Sequence, residues 1–176
     1  MTGEKVYLRE LELSDVELLY RWENDPRTWR VSGTTAPFSR HLLDAYVRSV
    51  GNIFTDGQLR TIICLKGDGK EIGTLDLFDH DPVNQRAGVG ILIAEQEERG
   101  KGYARESLSL IKDHAFDRLM LHQLYCNIAA ANEASLALFQ KAGFGIIGRK
   151  REWIRRREHW EDEFLLQCLS TERDPE

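Results

Sequence analysis

The sequence predicts one mixed α/β domain, in which β-hairpins lie on both sides of a central strand–helix unit. Three observations support this class. The apolar run at residues 91–93 leads through a glycine-rich turn into an amphipathic helix that starts near Tyr103. Before that unit, the turn sequences at 67–70 and 81–84 separate strand-like segments. After it, two further strand-like segments pair around residues 155–157.

Each element follows from a local pattern. Residues 6–10 alternate between apolar and polar side chains, which predicts a first strand. Ser14 and Glu17 have capping-box spacing and predict a helix that Pro26 ends, before a loop at 26–38. Ser39 is predicted to cap a second helix. The remaining predicted elements are strands at 59–66, 72–80, 87–94 and 124–129, helices at 103–120 and 133–142, and two final strands.

The composition is that of an ordinary globular protein, with 41% hydrophobic and 30% charged residues. No apolar run approaches about 18 residues, and no apolar signal region follows Met1, so we expect no membrane span and a cytoplasmic location. Three single cysteines and five histidines without ligand spacing favour reduced thiols and no metal. The 176 residues are expected to form one domain, 1–170, with a loose C-terminal tail at 171–176.

Charge gives a first indication of partners. The net charge of −5 disfavours nucleic acid and suits a cationic small substrate. The basic runs at 149–151 and 155–157 are interleaved with acidic residues, which predicts solvent-exposed cross-strand pairs on the final hairpin. Trp153 and Trp160 on those strands are expected to pack or to form the face of a homodimer, and all four tryptophans are candidates for lining a substrate cleft.

The turn that follows the central strand has the chemistry of a phosphate site. Gly100 and Gly102 let the backbone approach an anion without a Cβ, and the following helix start directs unpaired amides into the turn. Arg99 and Lys101 add positive charge. The spacing is neither a dinucleotide fingerprint, because Arg105 stands at the third glycine position, nor a Walker loop. Taken alone, the segment also fits an ordinary strand-to-helix turn.

A second motif lies about 30 residues further on, where Asn132, Ser135, Phe139 and Gly143-Phe144 follow one another at fixed spacing. Together with the Arg-x-x-Gly-x-Ala turn, this order resembles the GNAT superfamily of acyl-CoA N-acyltransferases. The resemblance covers residues 5–169. The branch that looks most similar is that of the spermidine and ribosomal-protein N-terminal acetyltransferases.

The resemblance implies a central, mostly antiparallel mixed sheet of six to seven strands flanked by about four helices, with acetyl-CoA as co-substrate. The pantetheine would pair with the backbone of the fourth strand, including Gly90, and the pyrophosphate would lie on the glycine turn. Asn132 would hydrogen-bond the cofactor or cap its helix, and Phe139 would pack near the sulfur. The implied cofactor-binding residues are Ile91, Leu92, Ile93, Arg99, Gly100, Lys101, Gly102, Tyr103, Ala104, Asn132, Phe139 and Lys141.

Two positions depart from the family pattern. Phe139 stands where many members place a tyrosine that protonates the leaving sulfur, and Gly88 stands where many place a glutamate that accepts the amine proton. The chain therefore lacks the usual acid and base. Substitutes are nominated on neighbouring strands as catalytic candidates: Asp76, Asp79, Tyr125 and Cys126, with His80 beside Asp79. The alternatives are solvated carboxylates, a packed tyrosine and a buried thiol.

The function predicted from these features is acetyl transfer to a primary amine, by direct attack in a ternary complex. A polyamine or similar small amine is favoured by the net charge and by Asp76 and Asp79. A protein or peptide N-terminus is the second acceptor class, and no residue decides against an antibiotic. A non-catalytic acyl-CoA-binding module is the alternative that Phe139 and Gly88 suggest.

Overall fold

Seven strands form one sheet in the computed structural model, which describes residues 1–172 except for the side chains of 30–32 and 172. The strands are β1 (Val6–Glu10), β2 (Leu59–Leu65), β3 (Glu71–Asp81), β4 (Arg86–Ile93), β5 (Gln123–Ala129), β6 (Gly145–Arg155) and β7 (Trp160–Leu169). Their order is β1-β2-β3-β4-β5-β7-β6, and only β4 and β5 pair in parallel. The mostly antiparallel mixed sheet predicted from the sequence is confirmed.

Six α-helices accompany the sheet within the described residues, where about four were predicted. They are α1 (Val16–Glu23), α2 (Pro26–Ser32), α3 (Arg40–Ser49), α4 (Ile53–Asp56), α5 (Tyr103–Asp113) and α6 (Glu133–Lys141). A π-helical turn, His114–Arg118, extends α5. Residues 170–172 form a short 3-10 turn, and the rest of the predicted tail, 173–176, lies outside the described residues.

The two additional helices are short and have their own caps. The segment predicted as a loop contains α2, because Asp25 accepts the amide of Arg27 and Pro26 occupies the first turn, where no donor is needed. Asn52 caps the single turn of α4. The capping box before α1 also differs from the prediction. Asp15, and not Ser14, interacts with the preceding chain: it accepts the amide of Glu12 at 2.8 Å.

The helices cover both faces of the sheet. On one face, α5 and α6 pack against β3, β4 and β5; on the other, α1 and α3 pack against β2. The first core includes Leu75, Leu77, Val89, Leu108, Ile111, Leu124 and Phe139, and the second includes Leu19, Trp22, Leu43, Val47 and Ile62. Burying apolar side chains on both faces stabilises the central strands and leaves only their ends and gaps for a site.

The sheet opens between β4 and β5. These strands pair at only three positions, Arg86 with Gln123, Ala87 with Leu124 and Gly88 with Tyr125. Beyond Gly88, β4 stays paired with β3 as far as Ile93, and β5 stays paired with β7 over its whole length. The facing edges of β4 and β5 therefore run apart and leave a gap in the middle of the sheet.

We predict that Gly73→Ala destabilises the protein by about 3 kcal/mol, because overpacking against backbone forces strands apart. A Cβ on Gly73 would lie 2.0 Å from the carbonyl oxygen of Leu92, across the β3–β4 pair. Gly145→Ala in β6 is the matched control, since a Cβ there meets nothing within 4 Å. Urea unfolding measures both variants, and equal midpoints would contradict the prediction.

Candidate active site

The gap between β4 and β5 contains a cavity of about 650 Å³. Residues of β4 form one wall and residues of β5 the other. The N-cap of α6 and two residues within that helix also line the cavity. The lining includes residues from elements on both faces of the sheet, such as Glu23 of α1 on one face and Phe139 of α6 on the other. The lining residues from β4, β5 and α6 are Val89, Gly90, Ile91, Leu92, Cys126, Asn127, Ile128, Ala129, Asn132, Ser135 and Phe139.

An ionic cluster of Glu23, Arg60 and Asp76 forms the wall of the cavity on the α1 side. Arg60 Nη1 lies 2.8 Å from Glu23 Oε1, and its Nε lies 2.5 Å from Asp76 Oδ1. The Arg60 side chain is 18% exposed and each carboxylate 15%. Burial raises the pKa of Asp76, although Arg60 opposes this shift. With two carboxylates on one guanidinium, the cluster retains a negative charge.

Asp76 lies next to the bare backbone of β4. It is paired across the strands with Gly90, which has no side chain. Its carboxylate is therefore adjacent to the strand edge that borders the gap. The sequence identified Asp76 as a candidate, but Glu23 and Arg60 were missed, since Glu23 lies on α1 and Arg60 on β2.

The opposite wall carries a second set of charges, from the β6–β7 hairpin. Arg156 Nε lies 2.7 Å from Glu161 Oε2, and Glu161 also accepts the amide of Ala131 at 2.9 Å. Glu163 lies 2.8 Å from Lys150 Nζ. Counting both walls, the cavity is lined by four carboxylates and two guanidinium groups: Glu23, Asp76, Glu161, Glu163, Arg60 and Arg156.

Phe78 explains why position 88 is a glycine. A Cβ on Gly88 would lie 2.3 Å from Cε2 of Phe78, so the aromatic ring fills the space of a side chain at that position. The same ring makes an edge contact with Tyr125 at a centroid distance of 6.3 Å. The sequence analysis identified Gly88 as unusual but did not identify Phe78 as the cause. The register of the β3–β4 hairpin could have shown it, because Phe78 and Gly88 lie opposite each other there.

Three candidates do not line the cavity: Asp79, Tyr125 and His80. Asp79 is exposed and has a φ of 50°, at a bulge where the β3–β4 register shifts. Tyr125 projects to the opposite face from Cys126, and its hydroxyl donates to Asp79 at 3.3 Å. His80 contacts the ring of Phe54. This end of β3 lies beside the part of β4 that is still paired with β5, and there Asp79 and Tyr125 form a separate pair.

Cys126 does line the cavity, as a neutral thiol. Its side chain is 2% exposed, and burial raises its pKa to about 12. A thiol with that pKa remains protonated at neutral pH, and the thiolate is the nucleophilic form. Cys126 therefore contributes an uncharged, compact surface to the β5 wall.

The glycine turn has the backbone of an anion site, but its two basic side chains are already engaged. Gly100 and Gly102 have φ values of 76° and 89°, and α5 begins at the next residue. The first amides of α5 have no acceptor inside the helix. Lys101 Nζ lies 2.7 Å from Glu98, and Arg99 Nε donates to the carbonyl of Ile93 at 2.8 Å. The turn lies beyond the residues that line the cavity.

The residues of the second motif lie at different depths. Asn132 lines the cavity and caps α6, its Oδ1 accepting the amide of Ser135 at 3.2 Å. Phe139 is 3% exposed, lines the cavity and packs edge-on against Phe144 at 5.1 Å. Lys141 is exposed at the end of α6 and lies outside the lining set.

Comparison with known proteins identifies the class. A family model described as the acetyltransferase (GNAT) domain matches residues 5–145. The chain therefore belongs to the GNAT acetyltransferases and is an N-acetyltransferase that uses acetyl-CoA, as the two motifs predicted. Among the described residues, no helix is long and apolar enough to cross a membrane.

Individual relatives are distant. The chain is 26% identical over 181 residues to the probable N-acetyltransferase YjcK of Bacillus subtilis, with 97% of each chain covered. It is 28% identical over 149 residues to a spermidine N(1)-acetyltransferase of Escherichia coli, covering 84% of this chain and 76% of the relative. The structure of a Vibrio cholerae spermidine N-acetyltransferase in complex with CoA and spermine superposes with a TM-score of 0.88 at 22% identity, over 97% and 99% of the two chains.

We predict that Cys126 reacts slowly with iodoacetamide at pH 8, and that its rate rises about tenfold per pH unit between pH 7 and 9 without levelling off, because the thiolate fraction grows that way below the pKa. Burial raises the pKa of this thiol to about 12, well above the range of the measurement. Mass spectrometry of the digested protein measures the rate at this residue. Urea-unfolded protein is the control, and a plateau below pH 9 in the folded protein would contradict the raised pKa.

Proposed function

We propose that the enzyme transfers the acetyl group to a primary amine by direct attack within a ternary complex, in the gap between β4 and β5. The observation that carries the proposal is the cavity where these strands part, which is lined by residues from both faces of the sheet. Donor and acceptor can enter it from opposite faces and meet at the strand edge. Holding both reactants in one geometry lowers the barrier without a covalent enzyme intermediate.

The acyl donor occupies the β4 side and the glycine turn. Its pantetheine lies along the free edge of residues 90–93, where backbone groups beyond the paired positions are available for hydrogen bonds. One of those amides polarises the thioester carbonyl. The pyrophosphate lies on residues 99–104, on the amides at the start of α5. Asn132 and Phe139 border the reactive end, and Lys141 is the remaining candidate contact.

The acceptor is a polyamine or similar small amine. The excess of carboxylates over guanidinium groups in the cavity favours a cation, and an overall charge of −5 points the same way. Two of the similar proteins are named for spermidine acetylation, and one solved neighbour holds spermine. Cytoplasmic location and a homodimer remain predictions.

Asp76 accepts the proton of the attacking amine. It lies opposite Gly90, beside the strand edge proposed to hold the thioester, and burial moves its pKa toward the working pH. Asp76 takes one proton from the bound ammonium, which frees the nitrogen lone pair. The nitrogen attacks the carbonyl carbon, the carbon–sulfur bond breaks to release the thiolate of CoA, and the second proton of the nitrogen passes to that thiolate. A thiol pKa near 8.5 makes that thiolate a tolerable leaving group without an acid at Phe139.

A peptide or protein N-terminus is the second candidate acceptor. The observation behind it is a 33% identical stretch of 87 residues shared with the putative ribosomal N-acetyltransferase YdaF of Bacillus subtilis, covering 49% of this chain. Such an acceptor needs room outside the sheet for a chain that continues from the reacting amine, whereas a polyamine fits within the cavity.

Release of CoA, followed with a thiol reagent, tests the acceptor. The panel contains spermidine, spermine, peptides with free N-termini, aminoglycosides and amino acids. We expect saturable release with the polyamines. Saturation with peptides alone would replace the first acceptor class by the second, and silence across the panel, in protein that binds acetyl-CoA, would contradict the proposed acceptors.

Two matched variants test the division of labour around Arg60. We predict that Asp76→Asn lowers kcat about 100-fold, the usual range for loss of a general base, and removes the acidic limb of the pH profile. Glu23→Gln removes the other carboxylate of the same guanidinium and is expected mainly to raise KM for the amine. Thermal unfolding checks that both variants fold, and equal effects on kcat would contradict the role of Asp76.

A third pair tests the phosphate turn. Gly102→Glu is predicted to abolish acetyl-CoA binding while the fold is kept, because a carboxylate would face the pyrophosphate. Gly102→Ala is the control: it carries the same strain at a φ of 89°, about 1 kcal/mol, without the charge. Calorimetric titration with acetyl-CoA measures the affinity of both variants. Retained affinity in the Gly102→Glu variant would show that the pyrophosphate binds elsewhere.

A further inference from the structure

The N-terminal segment is tied to the first turn of α5 by one carboxylate. Glu106 Oε1 accepts the amide of Lys5 at 2.8 Å and that of Val6 at 3.4 Å. Gly3 allows the close approach, since a Cβ there would lie 2.2 Å from the same oxygen. Residues 3–6 and the start of α5, about 100 positions apart in the chain, are therefore held in contact.

This contact brings the Lys5 side chain to the glycine turn. Its Nζ lies 4.0 Å from the position that a Cβ would take on Gly102. Lys5 also lines, with Tyr103, a shallow cavity at the start of α5. Within residues 1–172, no hydrogen bond or ion pair engages the Lys5 ammonium group.

The three other lysines near the turn are engaged. Lys101 pairs with Glu98, and Lys70 Nζ lies 2.9 Å from the same carboxylate. Lys66 Nζ donates to the carbonyl of Gly3 at 3.1 Å. Lys5 is thus the lysine at the turn whose charge is available to a ligand, although the sequence motif points to Arg99 and Lys101.

We propose that the Lys5 ammonium binds the pyrophosphate of the acyl donor and that Glu106 is the positioning residue that holds Lys5 there. The inference rests on the proposed placement of the donor on this turn. Amides at a helix start provide directional hydrogen bonds, and a nearby ammonium adds charge that those neutral donors lack. The Glu106 carboxylate accepts hydrogen bonds from two backbone amides of the N-terminal segment. Its role is therefore to hold that segment against α5.

Calorimetric titration of the whole protein with CoA and with dephospho-CoA tests the contact. Lys5→Gln is expected to weaken both ligands about tenfold, the typical effect of losing a hydrogen bond to a charged group. Lys66→Gln is the matched control. It also removes one lysine charge from this surface, but the lysine it removes donates to the carbonyl of Gly3. It should change the affinity for either ligand less than about twofold.

Each other result overturns the inference. Equal effects of the two variants would show that Lys5 acts only through the overall charge of this surface and does not bind the pyrophosphate. Loss of affinity for CoA alone, with dephospho-CoA unchanged, would place Lys5 on the 3′-phosphate. If Gly102→Glu abolishes CoA binding and Lys5→Gln does not weaken it, the result supports the proposed donor site and contradicts the role of Lys5. Absence of CoA binding in the unaltered protein would overturn both.

Glu106→Ala separates positioning from structure. It is expected to weaken CoA binding in the unaltered background and to leave it unchanged or stronger in the Lys5→Gln background, because only repulsion of the phosphates is then removed. Thermal unfolding is recorded for all four proteins. Equal weakening in both backgrounds would assign Glu106 to the stability of the β1–α5 contact alone.

Discussion

The parting of β4 and β5 is the constraint on which the rest of the site depends. Three paired positions join the two strands, and beyond Gly88 each is held only by its other neighbour. A strand edge inside a sheet normally has a partner, because unpaired amides and carbonyls are costly away from water. Here the cavity gives that edge access to a ligand, so the backbone itself becomes binding surface.

The charged side chains around this gap form ion pairs with one another. Each carboxylate that lines the cavity contacts a basic side chain, so none is buried as an isolated charge. Because Glu23 and Asp76 share Arg60, the pairing is incomplete and the cluster stays negative. That arrangement gives every lining carboxylate a basic partner and leaves one negative charge of the Arg60 cluster unmatched.

The same residues account for the departures from the family pattern. Phe78 over Gly88 removes the usual position of a basic carboxylate, while Asp76 lies two pairs further along the same two strands. On the proposed placement of the donor, Phe139 gives the sulfur apolar surroundings. On the proposed mechanism the enzyme therefore depends on positioning and on one buried carboxylate, and less on a dedicated acid.

The sequence alone determined the secondary structure along most of the chain, the family and the position of the glycine turn, because periodicity, turn residues and motif spacing are local properties. Only the tertiary structure decided which side chains meet. Glu23 and Arg60 are 37 residues apart, and Lys5 reaches the turn through a contact spanning 101 residues. Asp76 lines the cavity and Asp79 does not, although both lie on one strand, because the register shifts between them and β4 is still paired with β5 beside Asp79. Such meetings depend on strand register and helix packing, which one-dimensional spacing does not specify.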